Sequence, residues 1–327
     1  MPFLRIDAAS TRAALDFAAL IEALRCAFAE GAEVPSRHVH AIAAGADQAA
    51  RYAGTLLLMP AWRPGRRLGL KTVSIFPGNA GIGLPALHST YLLFDAATGA
   101  PLALIDGDEI TARRTVAASA LAASFLARPD AARLVIVGAG RIASLVAEAM
   151  RCVRPIDEIG IWSRRAESSE ALAARLRESG LRAAAITDLE GAVRAAHIVS
   201  CATLAGAPLV HGAWLRPGAH LDLVGAFTPT MREGDAECFA RARVFVDTPE
   251  ALAKAGDVLD AVAAGSFAAE RLQGTLADLC GGRCAGRTGA GEITLFKSVG
   301  TALEDLAAAE LVFDSVAAAT PRRDSLS

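Results

Sequence analysis

The stretch from Arg133 to Ala143 contains the most informative spacing of small residues in the chain. It reads Arg-Leu-Val-Ile-Val-Gly-Ala-Gly-Arg-Ile-Ala, which predicts a buried strand, a glycine turn and a helix in succession. The two glycines permit a tight turn and a close approach of the backbone to a pyrophosphate, and Ala143 lets the helix pack on the strand. Amides at the helix start also favour an anion. The sequence therefore predicts a dinucleotide site formed by Gly138, Ala139, Gly140, Arg141 and Ile142.

The end of the next predicted strand indicates which dinucleotide is bound. An acidic residue about 20 positions after the glycine turn would bind the ribose hydroxyls of NAD. This chain has Ser163, Arg164 and Arg165 there and no carboxylate. The guanidinium group of arginine matches a 2′-phosphate, so the sequence favours NADPH as the cofactor, with NADH as the alternative. Both arginines would also suit the solvent-exposed start of a helix. Later strand ends expected to line the same groove are Thr203, Leu204 and Val224.

Two basic residues before the glycine turn interrupt apolar faces. Lys71 alternates with apolar residues on one face of a predicted strand, and Arg114 lies near the centre of the apolar stripe of a predicted helix, with Arg113 at its edge. A buried cation needs a partner or a ligand. One alternative is a structural ion pair of Arg114 with Asp106 or Asp108; the other is a substrate carboxylate, which an arginine fork binds bidentately.

Composition narrows the class of protein. The chain has 327 residues, 53% of them hydrophobic, and a formal net charge of −2, which predicts two domains and gives no support to a nucleic-acid surface. No apolar run is long enough to span a bilayer without interruption, and the first ten residues do not resemble a signal peptide. The six scattered cysteines favour reduced thiols and a cytoplasmic location. Cys280 and Cys284 have no further ligand nearby in sequence, so no metal site is expected.

Hydrophobic periodicity predicts an α/β protein built from two kinds of sheet. Before the glycine turn, a helix at 13–30 precedes short alternating runs that predict an antiparallel sheet, and a helix begins near Asp108. After it, strands alternate with helices, as in a Rossmann-type doubly wound parallel sheet. The predicted antiparallel strands are 55–59, 68–76, 89–94 and 102–106; the predicted parallel strands are 133–137, 158–162, 183–186, 197–201, 220–224 and 243–246. Further helices are expected at 250–264 and 294–316.

Several motifs together resemble the ornithine cyclodeaminase/mu-crystallin family. They are Lys71–Val73, Thr90–Asp95, Ile110–Thr115, Gly138–Gly140, Arg216–His220 and Leu295–Thr301. The resemblance implies a substrate-binding and dimerisation domain at 1–112 and 302–327, a dinucleotide-binding domain at 113–301, and a homodimer. It also implies that Arg37, Lys71 and Arg114 bind the carboxylate of a small imino- or amino-acid substrate, and that Thr90 and Ser298 contact the cofactor.

The resemblance by itself leaves the reaction open, because the family contains cyclodeaminases, dehydrogenases, imine reductases and binding proteins. Cyclodeaminases of the family carry a catalytic aspartate where this chain has Phe227, and a phenyl ring cannot accept a proton. The run from Phe227 to Glu233 is instead similar to reductases of Δ1-pyrroline-2-carboxylate and Δ1-piperideine-2-carboxylate. We therefore expect NAD(P)H-dependent reduction of a cyclic ketimine carboxylate to L-proline or L-pipecolate, with Lys71 or a bound water as the proton donor. The alternatives are an NAD-dependent ornithine cyclodeaminase and a mu-crystallin-like protein that binds NADPH and a small ligand.

Overall fold

A computed structural model describes residues 3–43 and 52–319 of the chain, which divide into two compact units. Unit 1 covers the described residues of 1–114 and 301–327, and unit 2 covers 115–300. The helices are α1 (Ala8–Ala14), α2 (Phe17–Glu30), α3 (Gly107–Leu126), α4 (Ala143–Arg151), α5 (Ala166–Glu178), α6 (Leu189–Ala195), α7 (Ala236–Arg241), α8 (Ala251–Lys254), α9 (Gly256–Ala263), α10 (Leu276–Cys280) and α11 (Ala302–Ala319).

The strands alternate with these helices in unit 2 and cluster together in unit 1. In unit 1 they are β1 (Leu4–Ile6), β2 (His38–Ala43), β3 (Tyr52–Arg63), β4 (Arg67–Ile75), β5 (Leu87–Asp95) and β6 (Pro101–Asp106). In unit 2 they are β7 (Arg133–Val137), β8 (Glu158–Trp162), β9 (Arg182–Ala185), β10 (Ile198–Cys201), β11 (His220–Leu223), β12 (Arg243–Val246), β13 (Leu272–Thr275) and β14 (Thr294–Lys297). The prediction of an α/β fold with two kinds of sheet is confirmed.

The sheet of unit 1 has the order β1-β6-β5-β4-β3-β2 within the described residues. Its strands pair antiparallel except β1, which pairs parallel with β6. Helix α11 packs on one face of β3, β4 and β5. Along each strand, residues on this face alternate with residues on the other face, because successive side chains point to opposite sides of the sheet. On β4, for example, Gly69, Lys71 and Val73 are buried, while Leu70 and Thr72 are partly exposed.

The sheet of unit 2 is parallel throughout, in the order β13-β12-β14-β11-β10-β7-β8-β9. Its central strands are buried on both faces, as parallel strands covered by helices are expected to be. From β7 the chain proceeds outward through β8 and β9 and then returns to β10 on the other side of β7. The direction of winding therefore reverses between β7 and β10, and ligands of such sheets bind at the carboxyl ends of the strands at this point.

Three predicted helices differ from the structure. The one predicted at 250–264 is divided at Ala255, whose backbone is extended, into α8 and α9. The segment 294–316 begins with strand β14, and the helix α11 begins only at Ala302, after Gly300 adopts a φ of +77°. The predicted helix at 13–30 is divided at Leu15 because the carboxylate of Asp16 accepts hydrogen bonds from Ala18 N and Ala19 N and so begins a new helix. In the part of the chain that the structure describes, no helix is both long and apolar enough to cross a membrane.

Candidate functional site

The glycine turn after β7 has the geometry that its sequence predicts. Gly138 has a φ of +123°, and a Cβ atom there would lie 2.6 Å from the carbonyl oxygen of Ala202. A larger residue is therefore excluded by both the backbone angle and the neighbouring chain. At Gly140 a Cβ atom would meet no atom within 4 Å, so the backbone of this turn faces open space. The space that the glycine leaves is where a pyrophosphate would approach the backbone amides, so the turn fits a dinucleotide.

The residues after this turn lead into α4. Arg141 and Ile142 lie in the turn, and the helix proper begins at Ala143, which is fully buried. The helix ladder nevertheless starts earlier, since the amide of Ser144 donates to Gly140 O at 3.0 Å. The predicted opening of the helix by Arg141 and Ile142 agrees with this first bond and with the helical backbone angles of Ile142, and the predicted packing role of Ala143 agrees with its burial.

The end of β8 carries the predicted 2′-phosphate residues. Ser163 Oγ donates to the carbonyl oxygen of Arg165 at 2.7 Å, which shapes the turn into α5. Arg164 and Arg165 are both exposed, and neither has an ion-pair partner among residues 3–43 and 52–319. Two solvent-exposed guanidinium groups therefore lie at the strand end where this fold binds the ribose 2′ substituent of a dinucleotide. This arrangement is compatible with a phosphate ligand and with a solvated helix start.

The chain segments after β10 and β11 meet beside the glycine turn. Thr203 follows β10, and its side-chain Cγ2 lies 3.4 Å from where a Cβ of Gly138 would be. Of the predicted groove residues, Val224 is buried and Leu204 is 72% exposed. A Cβ atom on Gly225 would overlap Thr203, lying 1.9 Å from its carbonyl oxygen. The two segments therefore approach each other as closely as backbones can.

A buried carboxylate that the sequence analysis did not select joins these two segments. Glu233 is fully buried, and its Oε1 accepts hydrogen bonds from Thr203 N at 2.6 Å and Thr203 Oγ1 at 2.8 Å. Its Oε2 accepts from Gly225 N at 2.7 Å and Ala226 N at 3.1 Å. Burial raises the pKa of Glu233 to about 7, and the charge of Lys297 opposes that shift. Because four donors surround its two oxygens, we assign Glu233 as an ionised carboxylate.

A second layer supports Glu233. The Oδ1 atom of Asp257 accepts from Glu233 N at 2.6 Å and Gly234 N at 3.0 Å, and its Oδ2 lies 3.0 Å from Lys297 Nζ. Asp257 and Lys297 are both buried. Each charge of this ion pair has lost its water, so the attraction between the two groups has to offset that loss. The pair connects the end of β14 to the loop that carries Glu233.

Ser298, the predicted cofactor contact, directly follows Lys297 and is buried. The turn after it is held by Asp247 at the end of β12, whose Oδ2 accepts from Val299 N at 2.8 Å and Gly300 N at 2.6 Å. Ser298 thus lies at the carboxyl end of a central strand, the edge of the sheet where the glycine turn also lies. Nothing in the local sequence around Asp247 signals this capping contact.

In unit 1 the structure brings Lys71 and Arg114 together on a shared carboxylate. Asp305 of α11 lies 2.7 Å from Lys71 Nζ through its Oδ2 and accepts from Arg114 Nε at 2.9 Å through its Oδ1. Arg114 Nη1 also donates to Glu304 Oε2 at 2.5 Å. Lys71 and Arg114 are only 2% and 6% exposed. Both point inward as predicted, but the suggested ion-pair partners Asp106 and Asp108 are wrong.

The actual roles of those two aspartates are local. Asp106 Oδ1 accepts from Glu109 N at 2.8 Å and so caps α3, and Asp108 Oδ1 accepts from Ser89 Oγ at 2.7 Å. The helix that the sequence predicts to begin near Asp108 is therefore capped two residues earlier, at Asp106. Both side chains are occupied at the helix start, about two turns before Arg114.

The charge states of this cluster follow from burial and pairing. Burial lowers the pKa of Lys71 to about 8, although Asp305 opposes the shift and Arg114 adds to it. Burial would raise the pKa of Asp305, but the charges of Lys71 and Arg114 outweigh it and hold that pKa below its usual value. An ammonium group with a pKa near 8 is able to give up a proton close to neutral pH.

Other predicted residues of unit 1 lie elsewhere. Arg113 is also buried rather than at an exposed edge; its Nε donates to Leu15 O at 2.7 Å and its guanidinium lies over the Phe17 ring. Thr90 is exposed and pairs with Thr72, so it points to the face of the sheet opposite Lys71. Arg37 is partly exposed in the segment between α2 and β2.

Phe227 and the cysteine pair are the last features that the sequence singles out. Position 227, in the segment after β11, is a phenylalanine and therefore supplies no carboxylate; its side chain is 43% exposed. Cys280 and Cys284 are free cysteines, and no group of three or more His, Cys, Asp or Glu side chains suitable for a metal occurs in the described ranges 3–43 and 52–319.

Comparison with known proteins agrees with this geometry. The profile of the ornithine cyclodeaminase/mu-crystallin family matches residues 7–320. The chain belongs to this family. A Δ1-pyrroline-2-carboxylate reductase of Paracoccus denitrificans is 39% identical over 294 residues, which are 89% of this chain and 90% of the relative.

Solved structures of the family superpose over the whole chain. The Thermococcus litoralis Δ1-pyrroline-2-carboxylate reductase, in complex with NADH and L-proline, has a TM-score of 0.89 and 32% identity, covering 97% of this chain and 98% of its own. An archaeal alanine dehydrogenase dimer with bound NAD has a TM-score of 0.87 and 28% identity, covering 98% and 97%. Members with different activities therefore share this architecture.

The cluster around Asp305 yields a stability prediction. Replacing Asp305→Asn leaves Lys71 and Arg114 buried with one fewer opposing charge, so we expect the free energy of unfolding to fall by about 3–5 kcal/mol. Urea denaturation followed by circular dichroism measures it. The control is Asp314→Asn on the same helix, whose exposed carboxylate lies 3.5 Å from Arg67. That change should cost less than about 1 kcal/mol. Equal losses in the two variants would contradict the pairing.

Proposed function

We propose that this protein is an NAD(P)H-dependent reductase of a cyclic ketimine carboxylate, with Δ1-pyrroline-2-carboxylate or Δ1-piperideine-2-carboxylate as substrate. The observation that carries the proposal is Phe227. The cyclodeaminases of the family need an aspartate at this position, and the structure has an exposed phenyl ring there. Without that carboxylate the chain cannot remove a proton from an amino acid in the same way, whereas reduction of a preformed imine does not require it.

Unit 2 would bind the dinucleotide and unit 1 the substrate. The cradle residues of unit 2 are Gly138, Ala139, Gly140, Arg141, Ile142, Thr203, Leu204, Val224 and Ser298. When bound, the reduced nicotinamide supplies the hydride that the imine carbon accepts. The chain's own residues would hold the substrate, exclude water from it and provide the proton that the imine nitrogen takes up.

Lys71 and Arg114 would bind the substrate carboxylate, aided by Arg37. The cluster they form with Asp305 and Glu304 has two positive and two negative side chains and therefore no net formal charge. A bound carboxylate adds a third negative group, so a third cation is required for neutrality. Arg37 is the residue we assign to that need.

The proton for the imine nitrogen would come from Lys71 or from a water bound next to it. Burial brings the pKa of Lys71 to about 8, so its ammonium is a competent acid at neutral pH. Donation leaves a neutral amine in a buried site, which costs less there than in water because burial already disfavours the charge. Asp305, paired with Lys71, stabilises the protonated form before the reaction.

The second face of the unit 1 sheet supports a homodimer. It is opposite α11 and carries a continuous set of partly exposed apolar side chains, namely Leu56, Leu58, Pro60, Trp62, Leu68, Leu70, Leu92, Phe94 and Leu104. An apolar face of this width favours association with another surface. We propose a second copy of the chain as its partner, which accords with the dimeric alanine dehydrogenase relative.

Substrate turnover tests the proposed reaction. We expect NADPH oxidation with Δ1-pyrroline-2-carboxylate or Δ1-piperideine-2-carboxylate, followed at the nicotinamide absorbance, and weaker or no oxidation with pyruvate plus ammonia. Arg114→Lys keeps the charge but loses the fork, so the KM for the imine should rise about ten-fold. Arg113→Lys, an equally buried arginine of the same helix, should leave that KM unchanged.

Two other outcomes of this assay would overturn the proposal. Ammonia release from L-ornithine with a strong preference for NAD would identify a cyclodeaminase despite Phe227. Failure of every imino acid to oxidise NADPH, combined with tight NADPH binding, would identify a binding protein of the mu-crystallin type.

Cofactor preference is a separate prediction, because the Thermococcus litoralis reductase and the archaeal alanine dehydrogenase hold NADH and NAD. We propose that Arg164 and Arg165 favour NADPH. Exchanging both for serine should raise the KM for NADPH about ten-fold, as loss of charge-assisted hydrogen bonds predicts, and leave the KM for NADH within about two-fold. Arg175→Ser, exposed on α5, is the control. Equal effects on both cofactors would contradict the role of the two arginines.

Sedimentation equilibrium tests the proposed dimer. The chain should have the mass of two copies, and Leu70→Glu should shift the equilibrium toward one copy because it places a charge on the apolar face. Val262→Glu, at an exposed site on α9 in unit 2, should leave the mass unchanged. A single-copy mass for the unmodified chain at micromolar concentration would reject the assembly.

A further inference from the structure

Glu233 has an arrangement that the proposed reaction does not use directly. It is a fully buried carboxylate with two donors on each oxygen; three of the four donors are backbone amides and the fourth is the Thr203 hydroxyl. Burying an ionised group is costly unless every lone pair is satisfied. A shorter polar side chain within either loop would be enough to accept the hydrogen bonds of that loop alone. The observed arrangement instead joins two loops that are separate in sequence.

The two loops that Glu233 joins are the ones beside the glycine turn. The first holds Thr203, which follows Ala202, and the carbonyl of Ala202 limits the residue at 138 to glycine. The second begins at Gly225, whose Cα closely approaches the backbone of Thr203. A movement of either loop would therefore change the shape of the wall beside the glycine turn. A backbone bond from Arg232 N to Ala205 O at 2.8 Å also joins the two loops, and Glu233 is a side chain that accepts from both.

We propose that Glu233 is a positioning residue for dinucleotide binding, whose carboxylate holds the loops after β10 and β11 in the arrangement that a bound dinucleotide requires. This inference rests on the proposed cofactor but not on the proposed imine substrate. Asp257 and Lys297 act behind Glu233: Asp257 receives the amides of Glu233 and Gly234, and Lys297 balances its charge. The ordering of the two loops before binding reduces the entropy that the cofactor has to overcome.

The isosteric substitution Glu233→Gln tests this role directly. A carboxamide accepts hydrogen bonds through its oxygen only, so its NH2 group would face either the amides of Gly225 and Ala226 or the amide and hydroxyl of Thr203, and at least one backbone N–H would lose its acceptor. The displaced loop should weaken binding of both NADPH and NADH at least ten-fold, since an unsatisfied buried donor carries a penalty of that order. The readout is the dissociation constant from titration of nicotinamide fluorescence, which requires no turnover.

Controls separate positioning from a general loss of stability. Glu237→Gln makes the same chemical change at an exposed site four residues away and should leave both dissociation constants unchanged. All titrations are made well below the unfolding temperature of each variant, where a merely destabilised protein is still folded and would bind normally. If Glu233→Gln does not fold, Thr203→Val removes one donor to Glu233 and should weaken cofactor binding about three-fold.

The outcomes distinguish this inference from the proposed reaction. A folded Glu233→Gln protein that binds NADPH and NADH within two-fold of the unmodified chain overturns the inference, as does an unmodified chain that binds neither. Weaker binding in the variant, with no imine reduction by the unmodified chain, upholds the inference and rejects the proposed reaction. If both hold, the KM for the imine should stay nearly constant in the variant while that for the cofactor rises.

Discussion

Buried charges in this protein occur in clusters whose members are far apart in sequence, and the requirement to satisfy them shapes both units. An isolated charge in a protein interior would lose its hydration without compensation. In unit 1, Lys71 and Arg114 are kept inside by Asp305 and Glu304. In unit 2, Glu233 is kept inside by backbone donors and by the pair of Asp257 and Lys297. Each cluster is complete only when several elements have assembled.

Because of this requirement, helix α11 near the end of the chain is paired with β4 and α3 near its beginning. Helix α11 carries both carboxylates that receive Lys71 of β4 and Arg114 of α3. Because those carboxylates are far along the chain, the basic residues of unit 1 can be buried only after α11 has packed on the sheet. The result is a buried cluster with two cations at fixed positions and no net formal charge.

The same requirement gives unit 2 its precision at the carboxyl ends of the strands. Loops at a sheet edge are usually the most variable parts of a domain. Here the loops after β10 and β11 are bound to one carboxylate, and the turn after β14 is bound to Asp247. The glycine turn after β7 therefore faces a wall that is held by hydrogen bonds rather than by apolar packing alone.

Residue patterns in the sequence alone predicted the alternation of strands and helices after Arg133, the glycine turn, and the inward position of Lys71 and Arg114, because each depends on periodicity or on local backbone needs. Only the tertiary structure showed the partners of those cations, and it alone revealed Glu233, Asp257 and Asp247. Contacts such as Glu233 with Thr203, 30 positions away, and Asp247 with Val299, 52 positions away, join distant parts of the chain, and no local pattern encodes them. Lys297 did carry the same signal as Lys71, a cation within an apolar run. Lys297 was not selected because the β14 segment was predicted as the start of a helix. The periodicity of a short apolar run does not distinguish a buried strand from a buried helix.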